Sequence, residues 1–108
     1  MKTYRIESFT KGWIAGDFEP SIIRTPHAEF LVRWYKRGDK EARHVHKKAD
    51  EITVIVSGKF KMNDKVLVPG DVVHLAPGVD ADFECLEDGA NAVFKSPSVI
   101  GDKYLVEK

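Results

Sequence analysis

Short runs of alternating apolar and polar residues, each closed by turn residues, recur along most of this chain, and that rhythm limits the fold more than any other feature. "TYRIE", "FLVRWYK", "RHVH", "EITVIVSG", "KFKMN", "KVLVPG", "DVVHLAPG", "ADFECL" and "NAVFKSP" all read as strands. Successive strand side chains point to opposite faces, so period-two runs at this spacing predict an all-β sandwich or barrel. No stretch keeps apolar residues at i, i+3, i+4 and i+7, and helix is expected to be minor. Asn63 and Asp64 stand between "KFKM" and "KVLV". Both tolerate φ > 0, which predicts a two-residue hairpin turn. Pro69-Gly70 and Pro77-Gly78 are turn dipeptides bracketing a strand from Asp71 to Ala76. The final "GDKYLVEK" reads either as an added edge strand or as a loosely held end.

A chain of 108 residues suits one domain, 1–108, with its barrel core at 29–97 and edge segments on either side. The single cysteine, Cys85, leaves no intramolecular disulfide, which points to a reducing compartment and to Cys85 as a small buried apolar residue. The N-terminus has no apolar run of the length a secretory signal needs, and no later segment approaches the roughly 18 apolar residues of a membrane span. The expectation is a soluble, cytoplasmic protein. Lys plus Arg equals Asp plus Glu at 17 each, with the signs interspersed, so no net field draws phosphate backbones or anionic lipid. That argues against nucleic acid and membrane as partners and leaves a small molecule.

The chemistry concentrates in "RHVHKKADEITVIVSG". His44 and His46 share one face of a strand while Val45 points to the other. "KKAD" is short and polar enough to return the chain, and Glu51 opens the next apolar run, where its carboxylate can meet the imidazoles across neighbouring strands. Two neutral imidazoles and a carboxylate suit Fe, Mn, Ni, Co, Cu or Zn, and ligand type does not choose among them. The competing reading has both histidines facing solvent and Glu51 paired with Lys47 or Lys48. On the histidines alone, that reading is the better one.

The spacing around them shifts the balance. Gly38, five residues, His44, one residue, His46, four residues, Glu51, six residues and Gly58 resemble the first motif of the cupin superfamily at every position. Downstream, "VPGDVVHLAPGVDADFEC" is similar to the second cupin motif in its two Pro-Gly turns and the short strand between them. The likeness covers about Leu31 to Phe94. It implies a small single-domain cupin, an antiparallel β-barrel of jelly-roll type, and a homodimer. It also implies one divalent transition metal held by His44, His46 and Glu51. The second motif departs at three positions: the third histidine ligand falls on Ala81, the closing asparagine on Cys85, and the proline before the turn on Ala76. A three-ligand site, a substituted ligand and a degenerate site all remain open. His74 is the best substitute ligand, and a hydrogen-bonded histidine at the barrel rim is an equal alternative. Asp80 and Asp82 flank Ala81 and by alternation should point away from the ion. His27 has no ligand partner in the sequence and reads as a surface residue.

Just before the motif, "FLVRWYKR" turns either Arg33 and Tyr35 or Val32 and Trp34 toward the interior. The first pair would bind a small carboxylate or sugar through a guanidinium fork and a phenol; the second would make an apolar wall. The bland arrangement, Trp34 in the core and Arg33 outside, has at least equal standing. Related small cupins include dioxygenases, sugar isomerases and epimerases, and lyases. The resemblance therefore ranks a metal-dependent enzyme on a small organic acid or sugar-derived substrate narrowly first. A non-catalytic ligand-binding cupin and a structural cupin with a decayed site come next.

Overall fold

The structure is a computed structural model and describes residues 1–107. Among these residues eight strands follow in order: β1 (Trp13–Ala15), β2 (Glu29–Tyr35), β3 (Lys40–Val45), β4 (Asp50–Met62), β5 (Lys65–Leu67), β6 (Val72–Leu75), β7 (Asp80–Ser96) and β8 (Tyr104–Leu105). Helix is confined to two single 3-10 turns, Ile6–Ser8 and Thr10–Gly12, and none is long and apolar enough to cross a membrane.

Local chemistry accounts for most of these boundaries. Asn63 and Asp64 both take positive φ, 49° and 65°, and join β4 to β5 in a two-residue turn. Gly70 and Gly78 take positive φ after their prolines and confine β6 to four residues. Two expectations fail. "TYRIE" forms no strand: residues 1–5 are exposed and have no ladder to join, and the chain turns at Ile6–Ser8 instead. The runs expected as separate strands either side of Gly58 and Gly89 are continuous, making β4 13 residues long and β7 17.

These two long strands build the fold, because each belongs to both of its walls. The first half of β4 pairs the second half of β7, and they are flanked by β6 and by β2 with β1. The second half of β4 pairs the first half of β7, flanked by β5 and by β3 with β8. All of these ladders are antiparallel, the arrangement of a jelly roll. Among the described residues, hydrogen bonding does not run on from β5 or β6 to β8 or β1, so the barrel is open along those edges. The passage from one wall to the other is at Gly58 and Gly89. A Cβ on Gly89 would lie 2.1 Å from the Ser57 carbonyl oxygen, and one on Gly58 would lie 2.6 Å from the Glu87 and Asp88 carbonyls. The β4–β7 register slips at the same place. Only glycine lets the two backbones come this close.

One end of the interior is packed with apolar side chains. Phe60 stacks on Phe83 at 4.9 Å, and Tyr35 meets both rings edge-on at 5.5 and 5.4 Å. Ile55, Met62, Leu67, Ala81 and Cys85 complete the cluster, with Cys85 fully buried as expected. The outer face of the first wall is also apolar. Phe30, Phe94 and Ile52 form one cross-strand row and Val32, Ala92, Val54 and Val72 the next, with Trp34 beside them at 63% exposure.

Candidate metal centre

The polar end of the interior starts from a bulge. The β3–β7 register shifts between Glu41 and His44, so these two residues, three apart, both face inward. His46 follows just past the end of β3, and Glu51 lies at the start of β4, opposite Leu75 and Lys95. Ala81 on β7 is the ladder partner of His44 and is 3% exposed. The position lacking the expected third imidazole therefore faces the site.

The two imidazole rings meet edge-on with centroids 5.1 Å apart. His44 donates from Nδ1 to the Ala42 carbonyl at 2.9 Å, and His46 donates from Nδ1 to the Asp102 carbonyl. A carbonyl can only accept, so in the neutral rings both Nε2 atoms keep their lone pairs. Burial pushes the His44 imidazole below its ordinary value, ahead of the smaller opposing effect of the Ala42 hydrogen bond. Glu51 is 8% exposed, and its Oε1 lies 3.4 Å from His46 Nε2 and 3.9 Å from Lys95 Nζ. Burial works to raise this carboxyl, but contact with His46 and the charge on Lys95 outweigh it and hold the group below the ordinary range. Thr53 adds a hydrogen bond to Oε2 at 3.3 Å.

His46 Nε2 is buried without a hydrogen-bond partner. With His46 neutral, two acceptors, an imidazole lone pair and a carboxylate oxygen, face each other in a buried setting. Such an arrangement is costly unless a cation sits between them. A divalent metal ion fits this donor set. Among the described residues no three His, Cys, Asp or Glu side chains are yet drawn close enough to hold an ion. The His46–Glu51 pair is in place, and His44 stands next to it.

Beside these residues lies a cavity of about 170 Å³ lined by His44, Glu51, Ala81, Arg33, Asn91 and Lys95, among others. Arg33 and Tyr35 face inward and Trp34 outward, which overturns the bland arrangement of that strand. Tyr35 donates to Glu41 Oε2 at 2.7 Å, and Arg33 lies 4.0 Å from the same oxygen. Asn91 is buried and its Oδ1 is unpaired. A second space of about 320 Å³ opens on the other side of His46, between Trp13 and Phe18 on one hand and Val99 to Lys103 on the other.

His74 does not join the site. Val73 and Leu75 point inward, so His74 takes the outer face and pairs with Asp50 at 2.8 Å. Lys47 and Lys48 do not pair with Glu51; Lys47 instead lies over the Tyr104 ring at 4.0 Å. Asp80 and Asp82 are held by Arg43 at 3.2 and 3.0 Å, and His27 is exposed.

Four site residues escaped the sequence reading. Glu41 was hidden by the bulge, which breaks the alternation. Asn91 and Lys95 were findable, since they share the inward phase of Val93 on β7 and a polar residue there is out of pattern. Asp102 left no periodic signal. Its Oδ1 accepts from the Lys47 and Lys48 amides and its Oδ2 from those of Lys48 and Ala49, all within 3.2 Å.

No family model and no curated protein matches the chain. Solved structures do. An RmlC-like cupin from Shewanella frigidimarina NCIMB 400 is 26% identical over 72% of each chain, with a TM-score of 0.65. KdgF from Halomonas sp. is 25% identical over 70% of this chain and 74% of its own, also at 0.65. This chain has the fold of a small cupin. A Klebsiella pneumoniae protein with a double-stranded β-helix domain, 19% identical, matches that fold over 100% of this chain and 99% of its own, at 0.72.

Proposed function

We propose that this chain binds one divalent transition metal through His44, His46 and Glu51 and acts as a metal-dependent enzyme on a small organic acid or sugar-derived substrate. The observation that carries the reading is the unpaired Nε2 of His46 against the Glu51 carboxylate in a buried setting. Apolar side chains would fill this end of a purely structural barrel at less cost. A bound metal would supply Lewis acidity or activate water or dioxygen. The chain's own cations, Arg33 and Lys95, line the same cavity and suit a substrate carboxylate, while Asn91 Oδ1 offers an acceptor to a substrate hydroxyl.

One observation favours a second reading, a ligand-binding or structural cupin with a decayed metal site: the position facing His44 is alanine. Elemental analysis of the purified protein, then reconstitution with Fe, Mn, Ni, Co, Cu and Zn and a screen of small acids and sugars for metal-dependent turnover, separates the two. Stoichiometric metal with turnover supports the enzyme, and metal without turnover leaves the binding module. No binding of any of the six metals leaves the structural barrel.

A further inference from the structure

β3, which carries His44 and leads into His46, is paired along its outer edge by β8. β8 pairs with the edge of β3, Leu105 opposite His44 and Tyr104 opposite Val45, and the Val106 amide donates to the Arg43 carbonyl at 3.0 Å. Two residues before β8, Asp102 is 6% exposed and grips the loop after His46 from both directions. Its backbone carbonyl takes the His46 Nδ1 proton, and its carboxylate takes the amides of Lys47, Lys48 and Ala49. These three backbone hydrogen bonds hold the carboxyl ionised against the effect of burial. One residue thus fixes the tautomer, the ring position and the following loop of a single imidazole.

We infer that residues 101–106 form a clamp that presents His46 Nε2 to the metal site, with Asp102 as the positioning residue, and that metal binding and clamp closure strengthen each other. This rests on the metal-binding reading above. A ligating imidazole gains affinity when its other nitrogen is held by an acceptor, and losing such a support weakens binding about 10- to 100-fold. Coupling between two equilibria is reciprocal, so whatever the clamp adds to metal affinity the metal must add to clamp closure. The clamp also forms one side of the 320 Å³ space, through Gly101, Asp102 and Lys103, so its opening would expose His46 to solvent.

Zinc titration of the 108-residue chain and its variants tests this, together with amide hydrogen exchange with and without zinc. Asp102→Ala keeps the backbone carbonyl but cuts the carboxylate tether to the Lys47, Lys48 and Ala49 amides that holds that carbonyl against His46 Nδ1, so it should bind zinc at least tenfold more weakly than wild type, and Asp102→Asn, which keeps one side-chain oxygen as acceptor, should fall between them. Asp71→Ala, which removes a comparable side-chain bond to the Val68 amide far from the site, controls for general destabilisation and should bind as wild type does. In wild type, zinc should slow exchange at the Lys47, Lys48, Ala49 and Val106 amides, and in Asp102→Ala that slowing should vanish. If Asp102→Ala proves unfolded by circular dichroism, Asp102→Asn and the wild-type exchange data decide. Zinc binding within twofold of wild type in the folded Asp102 variants, or exchange at these amides indifferent to zinc, overturns the clamp and leaves the metal site standing. Failure of wild type itself to bind zinc overturns both.

Discussion

Burial works to raise the Glu51 carboxyl but His46 and Lys95 hold it below the ordinary value, and burial holds the His44 imidazole below its own; both shifts make stability depend on pH. His44 has its folded value pushed below the ordinary 6.5, so below that pH the unfolded chain binds the proton more readily than the fold does. Stability then falls as pH drops. Glu51 has its folded value below the ordinary 4.5, and the stability it contributes above that pH is lost as pH falls through the folded value. Urea unfolding of the metal-free protein is expected to weaken in two stages, below about 6.5 and again below about 4.5. His44→Gln should remove the first stage and Glu51→Gln should flatten the second; unaltered profiles would refute the assignment. Ala81 carries the next prediction. It is a core residue packed with Met62 and Phe83, so Ala81→His is an overpacking change, costing about 1–3 kcal/mol. It should still tighten zinc binding roughly tenfold or more by adding a ligand opposite His44, while His46→Ala abolishes binding, both read by calorimetric titration. His44, His46 and Glu51 were singled out by the spacing that resembles the cupin motif, and the structure brings Glu51 to His46 with His44 beside them. Asp102 and Glu41 were not singled out, because a single long-range cap and a bulge leave no periodic trace.

At the scale of elements, the turns were the most readable part. Asn63-Asp64 and the two Pro-Gly pairs are local chemistry, decided within a few residues and indifferent to what packs above them. The lengths of β4 and β7 were not readable, since glycine in a run looks the same whether it ends a strand or lets it cross another. Gly58 and Gly89 do the second. Gly89→Ala is therefore expected to cost about 2–3 kcal/mol in urea unfolding, because its methyl must displace the backbone of Ser57. Gly38→Ala, at a positive-φ turn with open space around it, should cost less. Gly89 has no positive φ, so a loss there no larger than at Gly38 would show that the close approach to Ser57 is not what requires glycine. The inward phase of β2 was open in the sequence and is settled by its ladder with β7: Arg33 lies opposite Asn91 and Leu31 opposite Val93, which puts Trp34 on the outside.

For the whole molecule, the outer rows of the first wall, Phe30, Phe94, Ile52, Val32, Val54 and Val72 with Trp34, form an apolar face bounded at one edge by the His74–Asp50 pair. An apolar sheet face with a His–Asp pair at its edge is complementary to itself across a two-fold axis, so a second copy of this chain is the occupant expected there. Wild type should sediment as a dimer and Trp34→Glu as a folded monomer; a monomeric wild type at tens of micromolar would refute the pairing. The sharing of β4 and β7 between both walls has a further result, in the timing of synthesis. Among the described residues β3 pairs only with β7 and β8, and β2 only with β1 and β7. On the ribosome the histidine-bearing strand must therefore wait, unpaired, for residues 80–84 to emerge, a delay of seconds at roughly 5–20 residues per second. Over that interval "RHVH" is held by nothing in its own chain, and both histidines are open to free metal and to chaperones before there is any barrel to receive them.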